Sequence, residues 1–297
     1  IDVSNNSLYF PGVSKISTAS KQKNVTVESV GNFSTEEMLS ALTHGLSFVV
    51  GLVACIPLLT DAYQADRFTF WCCVAYEATL LVCFGSSTLY HGHFSNPRMF
   101  QFWMRVDHMG IYLLIAGSYT ALISVGCRGH VPIAIIVALE WLLAGGGCLF
   151  SAAGVGLSKT ETNWVELATF GVMGFACLPC LGLIQELLGP EAFFLVGLGG
   201  AFYAIGVGPF ILAGQHPGWH VVWHLFVMAG AVTHWFCVYL YVVPSADGAK
   251  TFDRDDLREI VSGLKSDVYN TTGSLEVALL SHALSMNAST AAALVDE

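Results

Sequence analysis

The sequence predicts an all-α membrane protein, a bundle of seven transmembrane helices, and three observations carry that expectation. Of its 297 residues 54% are hydrophobic and only 11% charged, a balance unlike that of ordinary globular domains. Apolar runs of about 20 residues recur along the chain, each the length that carries a helix across the hydrocarbon core of a bilayer. The connections between them are short, the one after the third run being only Cys127–His130.

Residues 1–35 are polar, rich in Ser and Asn, and are expected to be loose. The spans then fall at roughly 38–60, 68–91, 106–126, 131–153, 163–185, 190–213 and 218–243, with the transmembrane domain covering 36–243. Pro57, Pro179 and Pro209 lie inside spans, where they kink a helix that neighbouring helices can still support. After Pro244 the character changes. Residues 244–297 read as an acidic, largely disordered tail, in which Phe252–Leu264 has the pattern of a short amphipathic helix.

Charge narrows the partners. The formal charge is −10, and much of the acid behind it lies in the tail (Asp247, Asp253, Asp255, Asp256, Glu259, Asp267), while the absence of any basic tract argues against nucleic acid. The expected surroundings are membrane lipid. Lys and Arg near the span ends are split evenly between the two faces, so the positive-inside rule returns a tie. The nine cysteines lie in or beside apolar segments and read as small buried hydrophobes; Cys177-Leu-Pro-Cys180 has redox spacing, but within an apolar span that reading is weak. No lysine occurs between Lys159 and Lys250, so the last span cannot form a retinal Schiff base.

The chemistry centres on histidine. A helix turns about 100° and rises about 1.5 Å per residue, so His220 and His224 share a face one turn apart, as two imidazoles on one tetrahedral ion would. His216 has the same spacing, but Pro217 favours the first helical turn and disfavours helix just before it, which leaves His216 in the loop. Seven crossings place His91, closing the second span, Asp107 and His108, opening the third, and His44, early in the first, at the same face as His220. Three neutral imidazoles from two helices, His91, His220 and His224, with a fourth position left open, are the ligand set of a catalytic zinc ion. Asp107 is then a candidate to hold a zinc-bound water or take its proton, and Ser87 lies one turn before His91. The blander alternative is histidines bonded across helices near the headgroups. His93 should point away from His91, and His234, deeper in the span, should bond a neighbouring helix. Glu77 and Glu140 are expected to be protonated or hydrogen-bonded inside the bundle, the alternative being an ion path.

At these residues the chain resembles the hemolysin III / progestin and adipoQ receptor family of seven-helix membrane proteins. Glu36-Glu37 followed by Thr43-His44-Gly45 is similar to its acidic-then-histidine opening, and Ser87-Thr88-Leu89-Tyr90-His91 to its serine-x-x-aromatic-histidine motif. Asp107-His108-Met109-Gly110-Ile111-Tyr112 running into Ile115-Ala116-Gly117-Ser118-Tyr119-Thr120 is the most specific match, although Ala121 stands where the family often has proline. Met173-Gly174-Phe175 stands where Met-Gly-Trp is common, and His220-Val221-Val222-Trp223-His224 matches the histidine-x-x-tryptophan-histidine pattern. The resemblance covers about residues 36–243 and leaves the tail uncovered. It implies zinc on His91, His220 and His224 with Asp107 and Ser87 beside its water, a cytosolic N-terminus, and an outside or lumenal C-terminus.

Three functions are expected on these grounds. The first is zinc-dependent hydrolysis of a membrane lipid, most plausibly a ceramide-like amide, with Asp107 as base and proton shuttle. The second is a receptor or signalling protein whose zinc is structural. The third, a pore or transporter using Glu77 and Glu140, is weakest, since an odd number of spans shows no inverted repeat.

Overall fold

The computed structural model describes residues 27–154 and 163–243, with side chains from Thr35 onward, and four further residues at 262–263 and 265–266. The chain separates into two compact units, Ile1–Gly248 and Ala249–Glu297, and the long helices all belong to the first. Except for Ser262 and Gly263, which are helical, the expected amphipathic helix Phe252–Leu264 lies outside the described residues, as does most of the tail.

Helix α1 spans Val27–Ala65, α2 Arg67–Gly92, α3 Pro97–Tyr119, α4 Val131–Ala153, α5 Trp164–Gly174, α6 Leu181–Ala213 and α7 Trp219–Cys237. Wider π turns prolong α3 through Thr120–Val125 and α7 through Val238–Val242, and a 3-10 turn at Leu178–Cys180 links α5 to α6. The described residues contain no strand. Among the described residues six helical stretches are long and apolar enough to cross a membrane, the fifth being Trp164–Ala213 taken together.

Several boundaries differ from expectation. Helix α1 already runs from Val27, inside the segment expected to be loose, and α3 starts at Pro97 rather than near 106. At the latter, Asn96 accepts hydrogen bonds from the Arg98 and Met99 backbone amides, and Pro97 needs no donor in the first turn. Apolarity marks where a helix enters lipid; caps mark where it starts. The expected fifth span is interrupted after Gly174, because Pro179 removes a backbone donor and restricts Leu178 before it. A second interruption falls at Gly189, whose φ of 77° and ψ of 168° are non-helical and essentially restricted to glycine, so the axis breaks just before Pro190.

The outward face of α1 shows how the molecule meets its surroundings. Leu42, Leu46, Val49, Val53 and Ile56 repeat at alternating steps of four and three and are all more than half exposed, a stripe suited to lipid rather than water. Inside, the same helix buries Glu37, Ser40, His44 and Asp61.

Side-chain pairs fix which helix ends lie together. Asp66 caps α2 through the Phe68 and Thr69 amides and the Thr69 hydroxyl, and also pairs with Arg128 at 3.1 Å. Slight burial acts against it, but the bonds from Thr69 and Phe68 and the Arg128 charge hold the Asp66 carboxyl below its usual range. The first connection is thereby tied to the third. At the other end Arg105 donates to the Ala152 carbonyl at 3.0 Å, and Glu166 meets both His108 and Ser151, tying the start of α5 to α3 and to the end of α4. Ile184, near the start of α6, packs with Cys127 and Ile133 at the Asp66–Arg128 end. Beyond Gly189 the contacts run back along α7: Cys237 bonds the Ala192 carbonyl, His234 that of Val196, and Phe210 packs on Trp223 with centroids 5.3 Å apart.

Close helix approach depends on glycine where α2 meets α3. A Cβ on Gly110 would lie 2.8 Å from the Cys83 Cα, a clash with backbone that no rotamer relieves. Gly110 therefore sets the spacing between the helix carrying Asp107 and the helix carrying Ser87 and His91.

Candidate metal centre

The centre forms where α2 ends and α7 begins. His91 is the penultimate residue of α2 and His220 the second of α7. Gly218, at φ 86°, lets the chain turn sharply into α7, leaving His216 in the connection, as Pro217 suggested. His224 comes one turn later on the same face. Ligating nitrogens of His91, His220 and His224 all lie within 4.8 Å of one another, with ring centroids 5.0 Å apart for His91–His220, 5.0 Å for His91–His224 and 4.7 Å for His220–His224. His91 and His224 are almost wholly buried.

Hydrogen bonds behind the rings fix their tautomers. Glu37 Oε2 lies 2.8 Å from His91 Nδ1, so Nδ1–H donates to the carboxylate and Nε2 keeps its lone pair. That Nε2 is buried and has no hydrogen-bond partner. The Thr43 hydroxyl donates to the Ser40 carbonyl at 3.0 Å and lies 3.3 Å from His224 Nδ1. Its one proton being committed, it can only accept there, so His224 also carries its proton on Nδ1 and presents a bare Nε2. A carboxylate behind His91 and a hydroxyl behind His224 are the kind of support a metal site uses to orient its ligands. The donor set, the spacing and the orphaned His91 nitrogen fit a divalent ion of the zinc type, with three histidines leaving a position open.

A cavity of about 70 Å³ adjoins two of the three rings, His220 and His224. His44, Ser87, Tyr90, Asp107 and His108 border it together with the ends of α6 and α7. Asp107 and Ser87 are thus placed together at its wall, with the Ser87 hydroxyl against the Asp107 carboxyl. His108, although adjacent in sequence, is held differently: its Nδ1 lies 2.7 Å from Glu166 Oε2, since one residue turns a helix by about 100°.

The remaining polar residues lie apart from this cluster. His93 bonds the Leu89 carbonyl of its own helix at 2.7 Å, and His234 bonds the Val196 carbonyl at 3.1 Å. Glu77 accepts from the Trp235 indole at 2.8 Å. Glu140 is fully buried in α4 with neither carboxyl oxygen hydrogen-bonded. Among the described residues the cysteines are all free, and Cys177 and Cys180 flank the interruption between α5 and α6.

Glu37 and Thr43 are the residues that sequence reasoning passed over. Both stood in the matched opening of the first span, but nothing in their spacing names a histidine on another helix. Replacing Glu37 by glutamine, which keeps the shape but removes the charge, is expected to weaken metal binding by ~10–100-fold. Zinc titration against a competing chelator would measure it.

Comparison with known proteins covers the same helical part of the chain. Residues 33–235 match the model of the family described as Haemolysin-III related. The chain is 32% identical to Hemolysin-3 of Bacillus cereus over 217 residues, covering 72% of this chain and 95% of that protein. It is 30% identical to the Hemolysin-3 homolog of Bacillus subtilis (strain 168), over 70% of this chain and 95% of the relative. It is also similar to the human Monocyte to macrophage differentiation factor, at 29% identity over 71% of this chain and 86% of the relative. Long apolar helices, a lipid-facing exterior and these matches together make it a multi-pass integral membrane protein, and the chain belongs to the haemolysin-III related family.

Proposed function

We propose that this protein is a zinc-dependent hydrolase of a membrane lipid amide, of the ceramidase type. The observation that carries this reading is the three-histidine cluster opening onto a cavity that Asp107 and Ser87 also border. His91, His220 and His224 would hold the ion. Bound there, zinc supplies Lewis acidity toward a carbonyl oxygen and lowers the pKa of a water to about 7.

The chain's own groups supply the rest. Asp107 takes a proton from the attacking water on a carboxylate oxygen, with the Ser87 hydroxyl steadying that carboxylate by donating to it. As the carbon–nitrogen bond breaks, Asp107 returns the proton to the departing nitrogen, leaving a fatty acid and an amine. Hydrolysis is then balanced and Asp107 is regenerated. A carboxylate shuttling one proton in this way contributes ~10²–10⁴-fold to rate.

The same reading takes the chain across the bilayer seven times, reversing at Gly189–Pro190. Its support is the order of contacts, which climb from Glu166 to Ile184 and then return from Ala192 to Phe210 along α7. A straight helix over the whole stretch Trp164–Ala213, at ~1.5 Å per residue, would be more than twice as long as the ~30 Å core is thick. The N-terminus then lies on the side of the metal centre, which the family resemblance makes cytosolic, and the end of α7 outside or lumenal.

The test is amide hydrolysis by detergent-purified protein. Turnover of a ceramide should vanish on treatment with a strong zinc chelator and return on adding zinc. Zinc at one equivalent with no release of fatty acid from any lipid amide would remove the hydrolase reading and favour a receptor in which the ion is structural.

A further inference from the structure

His108 of α3 borders the same cavity as Asp107, yet it takes no part in the hydrolysis set out above. Its Nδ1 stands 2.7 Å from Glu166 Oε2. Glu166 is itself buried and firmly held. The Ser151 hydroxyl donates to its Oε1 at 3.2 Å, and its backbone amide donates to the Asn163 cap at 3.4 Å. It is the third residue of α5, in the first turn, where a helix end favours negative charge. Other imidazoles of this chain are tied to neutral partners: His93 and His234 each bond a backbone carbonyl. A carbonyl orients a ring, whereas a carboxylate also steadies the charge that the ring acquires on taking a second proton.

With Nδ1 committed to Glu166, Nε2 is the nitrogen left to exchange a proton with whatever occupies the cavity. Side chains of consecutive residues leave a helix about 100° apart, so Asp107 and His108 meet the cavity at different sectors of its wall. That separation suits an amide. Attack falls on the carbonyl carbon and departure on the nitrogen, and an amine is not expelled from carbon without a proton. A base close to a nucleophile, backed by a third group that orients it, is the recurring arrangement for such transfers.

We infer that His108 is the catalytic residue that delivers the proton to the departing nitrogen, with Glu166 as its positioning residue. The inference rests on the lipid-amide reading above and completes its last step. Asp107 takes a proton from the attacking water. As the carbon–nitrogen bond breaks, its electron pair moves to nitrogen, which takes the proton carried on His108 Nε2. Asp107 then passes its own proton to Nε2. Both side chains end as they began, and the elements of water are divided between the fatty acid and the amine. Glu166 touches no substrate and acts only through the ring.

The experiment uses the full-length, zinc-loaded protein in detergent, with two probes that share an acyl group, N-hexanoyl sphingosine and p-nitrophenyl hexanoate. A nitrophenolate leaves carbon without being protonated, so only the amide needs a proton donor. His108→Gln should lower kcat for the amide by ~10²–10⁴-fold, the contribution of general acid–base catalysis, with KM little changed. Cleavage of the ester should fall by no more than a few-fold, and zinc should remain at the parent's stoichiometry. Glu166→Gln should show the same selective loss at smaller size, since its amide oxygen still accepts from Nδ1 but carries no charge. An equal fall for both probes, or loss of zinc in His108→Gln, would overturn the assignment in favour of a structural role. An unchanged amide rate in His108→Gln would overturn it while leaving the hydrolase reading in place. A parent that cleaves the ester and not the amide would also overturn it, and a parent that cleaves neither would remove the hydrolase reading as well.

Discussion

Zinc content of the purified protein should fall from one equivalent to nothing measurable in His220→Ala, and equally in His91→Ala. Both rings belong to the one set of three whose nitrogens lie within 4.8 Å, and removing a direct ligand costs more than the ~10–100-fold that results from disturbing a supporting group. His91→Ala should be the more damaging to the fold. It takes the imidazole away from the Glu37 carboxylate inside the bundle, where both side chains are wholly buried, and removing the donor from a buried carboxylate is strongly destabilising. His220 is only partly buried, so its alanine variant should lose metal with a smaller drop in Tm. Metal analysis beside a thermal melt separates the two. Full zinc occupancy in either variant would mean that these imidazoles do not hold the ion together.

In Asp107→Asn the expected outcome is the reverse: zinc retained and turnover of a lipid amide lowered by ~10²–10⁴-fold, the span that general acid–base catalysis contributes. The amide keeps the size and much of the hydrogen bonding of the carboxylate but cannot take up a proton. Asp107 borders the cavity rather than belonging to the three-nitrogen cluster, so metal affinity should change little. Parallel measurement of zinc and of fatty-acid release decides it. Loss of zinc together with activity would make Asp107 a ligand, and unchanged activity would place the proton transfer elsewhere.

The helices and the histidine convergence were largely legible in the chain. Spacing alone put His220 and His224 on one face, Pro217 kept His216 in the loop, and an alternation of apolar runs brought His91 to their level. Where expectation and structure part, the cause is local. Apolar runs locate the lipid-embedded part of a helix, so α3 was expected to start several residues late; its true start depends on Asn96, a capping residue that hydropathy passes over. The interruption after Gly174 was hidden because Pro179 can be absorbed as a kink within a membrane helix or can end it, and sequence does not distinguish the two.

By itself, then, the sequence determined an all-helical membrane protein, the family it resembles, and the three imidazoles that converge. Helical periodicity and bilayer thickness are local rules, and they act on residues close together in the chain. Tertiary structure alone decided that Glu37 and Thr43 set the tautomers of His91 and His224, that His108 is held by Glu166 while Asp107 faces the cavity, and that His44 stacks on His224. Each of these is a pairing between helices far apart in sequence, fixed by how closely the helices approach and how each is rotated about its own axis.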